Sequence, residues 1–150
     1  MKFNNIKEVV KYMDSINPKD IEYRYNRDYF YENLDWYKAI LQGVLNLKEK
    51  PKRVIDVGSN FNVFGFLFEN EDIEYIGVEV SFRKRHKPFT SDKVKFINKD
   101  YYEVREEFKD DVIISNLCIG YQVPVEDIKC KHLIVGALTE KGTCTYKQIK

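Results

Sequence analysis

The chain has 150 residues, enough for one domain with a sizeable core and too few for a catalytic domain plus a separate recognition domain. A formal net charge of +1 excludes the overall basicity that drives non-specific nucleic-acid binding, and hydrophobic and charged fractions of 43% and 33% are those of an ordinary soluble domain. Only the aromatic fraction, 15% with 11 Tyr and 10 Phe, is high, which asks for a well-filled core or an aromatic-lined site.

Met1 to Glu8 contains no apolar stretch of secretory length, and no run approaches the roughly 20 residues of a membrane span, so a cytoplasmic protein without membrane segments is expected. Cys118, Cys130 and Cys144 form no Cys-x-x-Cys pair, and His86 and His132 are the only histidines. No metal site is expected, and the thiols read as reduced and structural.

In chain order, Asn5 with Glu8 three positions on can cap a short helix over residues 5–14, with Ile6, Val9, Val10 and Met13 on one face. From about Asp28, the spacing of Phe30, Leu34, Tyr37, Leu41 and Val44 predicts an amphipathic helix to about Leu47. Lys48-Glu-Lys-Pro-Lys52 is a solvated link. Five strands follow: Val54 to Val57, Ile73 to Val80, Val94 to Asn98, Val112 to Ser115 and His132 to Leu138. Helical segments are expected after Gly58, over Tyr102 to Phe108, and as a turn over Val125 to Lys129. Strands separated by crossovers predict an α/β domain with a mostly parallel sheet. Residues 1–50 form a helical extension expected to pack on the sheet or over its ligand end, 51–138 the core, and 139–150 a polar segment in which Thr143 to Tyr146 can add an edge strand.

The organising stretch is Arg53 to Glu69, where a β-branched run carries Asp56 near its carboxyl end, turns at Gly58 and continues into helically spaced apolar residues. In open α/β sheets ligands bind outside the carboxyl ends of the strands, where such a turn lets backbone approach them. Two further acids close strands at intervals of about twenty residues, Glu79 and Asp100. A carboxylate after the second strand suits the two hydroxyls of a ribose, and one after the third suits an exocyclic amine. The three acids together describe a nucleoside site.

At this point residues 53–138 resemble the class I S-adenosylmethionine-dependent methyltransferases. Val-Ile-Asp-Val-Gly-Ser-Asn is similar to the glycine-rich first motif, Ile-Gly-Val-Glu-Val-Ser to the acidic second, Phe-Ile-Asn-Lys-Asp to the third, and Asp111-Val-Ile-Ile-Ser-Asn-Leu to the fourth-strand motif. The resemblance implies a Rossmann-like three-layer sandwich and bound S-adenosylmethionine, with Asp56, Gly58, Ser59 and Asn60 near its methionine part. It places Glu79 on the ribose, Asp100 and Tyr101 at the adenine, and Asn116 as the catalytic residue facing the methyl acceptor. Two departures stand out. The usual Gly-x-Gly-x-Gly is here Gly58-Ser-Asn60-Phe-Asn62, and Asn is the non-glycine residue that best tolerates a left-handed backbone. The chain is also expected to lack the family's closing antiparallel hairpin, and Leu117 stands where prolines usually follow the asparagine in amino-group chemistry.

The acceptor, a small molecule or a nucleic acid, is not identified by the sequence, and neither is a second copy or partner protein that the domain would work with. A non-catalytic S-adenosylmethionine-binding or regulatory role, cleavage of S-adenosylmethionine without transfer, and a nicotinamide-cofactor role are the alternatives. Arg83-Lys-Arg-His-Lys87 reads as a solvated loop or a phosphate contact, and Tyr23, Tyr25, Tyr29, Tyr31, Trp36 and Tyr37 as core packing with one or two reaching the site, or as a lid over the adenosine. No Ser-His-Asp set or phosphate-binding Gly-x-x-x-x-Gly-Lys loop is present.

Overall fold

A computed structural model describes residues 2–116, 118–120, 122–141 and 144–150, with Leu138 and Cys144 described by their backbone alone. Three helices come first: α1 (Ile6–Ile16), α2 (Ile21–Glu32) and α3 (Leu34–Leu45). Asn5 caps α1 by accepting from the Glu8 N–H at 3.0 Å, and Asp20 caps α2 by accepting from the Tyr23 N–H at 3.1 Å. The single helix expected over residues 28–47 is therefore two. Asn33 donates from its side chain to the Tyr29 carbonyl at 2.8 Å, competing with the backbone ladder, and α2 stops there. The apolar period continues through α3, while Phe30 belongs to α2.

The sheet has the order β3-β2-β1-β4-β5-β6, built from β1 (Arg53–Val57), β2 (Glu74–Val78), β3 (Val94–Ile97), β4 (Val112–Ser115), β5 (His132–Leu138) and β6 (Cys144–Gln148). All neighbours run parallel except β5 and β6. Six strands replace the five expected, and the antiparallel β5–β6 pair corrects the expectation that the chain has no antiparallel closure. The sequence understated β6 because it lies at the sheet edge, where polar side chains face water. Of the edge strand anticipated over Thr143 to Tyr146, Thr143 lies outside the described residues.

Strand alternation sorts the core into two layers. Val54, Tyr75, Val94, Val112, Ile114 and Ile134 face α1, α2, α3 and the five-residue α4 (Gly65–Glu69). Ile55, Val57, Ile76, Val78, Ile113 and Leu133 face the other way, onto α5 (Tyr101–Val104), Phe108 and Ile128. The amino-terminal helices thus form one face of an α/β three-layer sandwich. Two helical expectations shrink: Tyr102 to Phe108 yields only α5, and Val125 to Lys129 a 3-10 turn at Val125–Asp127. Arg53 and Asp111 form a bidentate pair, both bonds 2.8 Å, that ties the start of β1 to the start of β4.

Candidate functional site

The turn after β1 has the backbone that its residue types call for. Gly58, Asn60 and Asn62 all have positive φ, at 84°, 51° and 70°, so the three positions of the glycine motif keep left-handed conformations although two are asparagine. Gly58 donates its N–H to the Val78 carbonyl at 2.8 Å, and a methyl on it would lie 2.6 Å from Cys118 Cβ. The Asn62 side chain lies across β2 toward β3. It is fully buried and donates to the carbonyls of Phe89 and Lys95, both at 3.0 Å, tying the turn to β3. The helix that follows, α4, is too short to present a helix-terminal ligand site.

Glu79, one residue beyond β2, is half-buried and accepts from the backbone N–H of Asn60 at 2.9 Å and of Ser81 at 3.2 Å. A carboxylate offers about four acceptor positions, so Glu79 shapes the turn and keeps capacity for hydroxyl donors. Asp100 is the N-cap of α5 with a full capping box to Glu103. Tyr101 is buried, and its hydroxyl accepts from the Lys129 N–H at 3.1 Å. Glu79, Asp100 and Tyr101 line one cavity of about 100 Å³ with Gly58, Val78 and Cys118. Burial, then the nearby Glu79, pushes the Cys118 thiol up to about 11, which keeps it protonated.

Asp56 lies on the opposite side of Gly58. It is buried and accepts a hydrogen bond from the Tyr75 hydroxyl. Burial raises its carboxyl to about 7, the Tyr75 bond opposing and Glu79 adding to the rise. Asn116 follows β4 directly, positioned by Ser115, whose hydroxyl donates to the Val57 carbonyl and accepts from the N–H groups of Cys118 and Ile119, each at 3.1 Å. Asp56, Gly58, Ser59, Asn60 and Asn116 line a second cavity, of about 30 Å³, roofed by Tyr23, Arg27, Phe30 and Tyr37. Gly58 is common to both cavities.

The structure therefore gathers every expected site residue at the carboxyl ends of the strands, in two groups. The sequence marked Tyr23 and Tyr37 of this roof and missed Asn26 and Phe30, because nothing local marks which face of α2 meets the turn. Of the six aromatic residues singled out on the amino-terminal helices, Tyr23, Trp36 and Tyr37 are buried in the core, Tyr23 and Tyr37 reach the Asp56 and Asn116 cavity, and none of the six lines the Glu79 cavity, which matches core packing with two residues at the site rather than a lid over the adenosine. Tyr25 is 72% exposed.

The basic run is engaged with the protein's own helix. Arg85 lies 3.4 Å from Glu22, Arg83 3.7 Å from Glu22, and His86 Nε2 3.3 Å from Asp20 and 3.2 Å from Glu22. His86 packs its ring on Phe61 and Phe82, at 5.1 Å each, strapping α2 to the turn. A larger groove of about 890 Å³ lies at the amino ends of β1, β4 and β5, away from the strand ends where open sheets bind ligands. Among the described residues no helix is long and apolar enough to cross a membrane, no cluster of three metal-ligating side chains occurs, and Cys118 and Cys130 are free thiols; the Cys144 side chain and Leu117 lie outside them.

No family model matches the chain, and no curated protein matches it. Among solved structures it is similar to the plantazolicin methyltransferase BpumL in complex with SAH, with a TM-score of 0.59, 17% identity and 91% of this chain covered. The match spans 63% of that protein's chain. Likeness at this identity speaks to architecture alone: this chain has the Rossmann-like fold of that methyltransferase.

Proposed function

We propose that the chain binds S-adenosylmethionine across Gly58 and transfers its methyl group to an acceptor held by Asn116. The observation that carries this reading is the division of the site at Gly58: one cavity bears Glu79, Asp100 and Tyr101, the other Asp56 and Asn116. A ligand with a nucleoside half and an amino-acid half fits that division. Glu79 would hold the ribose hydroxyls, Asp100 and Tyr101 would flank the base, and Asp56, Ser59 and Asn60 would meet the amino-acid part, where Ser59 Oγ is buried without a partner among the described residues. Asn62 does not oppose the fit, since its side chain turns into the sheet.

When bound, the cofactor supplies a methyl on a sulfonium, already activated for departure. The chain's own contribution is alignment and exclusion of water. Ser115 fixes the loop that carries Asn116, and the α2–α3 roof closes the cavity above it. BpumL, similar in fold, is a methyltransferase described with SAH, which supports the cofactor class.

Calorimetric titration with S-adenosylmethionine and S-adenosylhomocysteine tests the reading. Saturable binding, lost in Glu79→Ala, is expected; absence of binding by the folded protein to both ligands overturns it.

A further inference from the structure

The groove of about 890 Å³ at the amino ends of β1, β4 and β5 takes no part in the proposed reaction, and it collects positive charge that the fold leaves unpaired. Lys48, Lys50, Lys52 and Lys131 line it. All four are exposed, and none lies within ion-pair distance of a carboxylate among the described residues. Lys50 draws on Asp72 only at longer range, since the close partner of Asp72 is Lys93. Arg53, also in the groove, is taken up by Asp111 and adds no net charge. Glu49 and Asp110 are the opposing acids, so four lysines against two carboxylates leave a charge of +2. The carboxyl end of α3, which arrives at Asn46, subtracts roughly half a charge, and the groove stays positive in a chain of net charge +1.

The lysines stand on a fixed frame. The Lys52 carbonyl accepts from the Glu74 N–H at 3.0 Å, and the Lys131 N–H donates to the Asp111 carbonyl at 2.8 Å. β4 lies between β1 and β5, which sets the Lys52 and Lys131 backbones about 10 Å apart. No cation of the groove is buried, so it lacks the desolvated donors that would select one small anion, and it suits an array of phosphates met one by one. No Phe, Tyr or Trp lines it, so unpaired bases would find no stacking platform. A duplex needs none, because its bases are already stacked and it presents its phosphates outward.

We infer that this groove docks the phosphate backbone of a nucleic-acid duplex without reading its sequence. The inference does not depend on the methyltransferase reading. β1 has five residues, which puts the groove roughly 15 Å from Gly58, so the duplex is held at the opposite end of the sheet from the proposed cofactor, as a tether and not as the methyl acceptor.

A fluorescein-labelled DNA duplex and its RNA counterpart are titrated with the full chain, and anisotropy is read at several salt concentrations. Saturable binding to one or both is expected, with log affinity falling against log salt at a slope of about −2 to −4, as roughly two to four neutralised phosphates require. Each of Lys48→Gln, Lys52→Gln and Lys131→Gln should lessen that slope by about 1, while Lys11→Gln, exposed on α1 outside the groove, should leave it unchanged. Saturating S-adenosylhomocysteine should not alter the duplex affinity. Absence of binding to both duplexes at low salt overturns the inference, as does binding that survives all three substitutions combined. Loss of duplex binding on saturation with S-adenosylhomocysteine also overturns it, by placing the duplex at the strand ends. Phosphatidylglycerol vesicles or tripolyphosphate that compete as well as unlabelled duplex, phosphate for phosphate, overturn nucleic acid as the occupant. Duplex binding in a chain that binds no S-adenosylhomocysteine upholds the inference and counts against the cofactor reading alone.

Discussion

Asn62 occupies the space that Gly77 leaves free. The asparagine is the third residue of the turn's left-handed series, and its side chain lies across β2 at the one position of that strand without a side chain. A methyl on Gly77 would overlap Asn62 Oδ1 and crowd Ser59. The departure from glycine at 62 is thus matched by a glycine in the neighbouring strand, and the turn gains two hydrogen bonds to the Phe89 and Lys95 carbonyls.

Gly77→Ala is expected to destabilise the fold by about 1–3 kcal/mol through overpacking. In the Asn62→Gly background the same change should cost less, because the obstructing side chain is gone. A double-mutant cycle by urea denaturation checks this, and additive costs would show that the two positions are independent.

Asn60, with φ of 51°, separates backbone from side-chain requirements at the turn. Asn60→Gly should leave stability within about 0.5 kcal/mol of the parent, whereas Asn60→Ala should cost about 1 kcal/mol for a left-handed alanine. Both keep the N–H that Glu79 accepts, so equal melting temperatures for the two variants would contradict the strain argument.

Asp56 gives the protein a pH-dependent stability. Its carboxyl titrates at about 7 when folded, raised by burial, against about 3.9 in an unfolded chain. The folded state holds a proton that the unfolded state releases between these values. The stabilisation is therefore fully present below about pH 4 and declines as pH rises to about 7, by a few kcal/mol at most. Asp56→Asn should flatten this slope and be the more stable protein above pH 7, as read from unfolding midpoints across the range.

Asp100 has a helix-capping role that can be separated from a ligand role. Asp100→Ser should retain the α5 cap and lose less than about 0.5 kcal/mol of stability, while Asp100→Ala loses about 1 kcal/mol. On the proposed function, both should weaken S-adenosylhomocysteine binding alike in calorimetry. Weakening by Ala alone would assign Asp100 to the cap.

Much of this protein follows from sequence because its signals are local. Apolar runs located β1 to β5, the first three with acids at or just past their ends, since a parallel strand buried on both faces must be apolar along its length. Left-handed tolerance of Asn at 60 and 62 is likewise a property of the residue. The division of the helix at Asn33 was lost because the apolar period runs through it, and β6 was anticipated only as an optional short edge strand because such a strand exposes polar side chains.

Tertiary structure alone decided the composition of the site's two halves. That Asn62 turns into the space above Gly77, that the basic run docks on Asp20 and Glu22, and that Tyr29 and Trp36 meet Asn116 depend on how α2 and α3 lie on the sheet. Those contacts join residues far apart in the chain through non-directional apolar packing, which sets no spacing that a sequence can display.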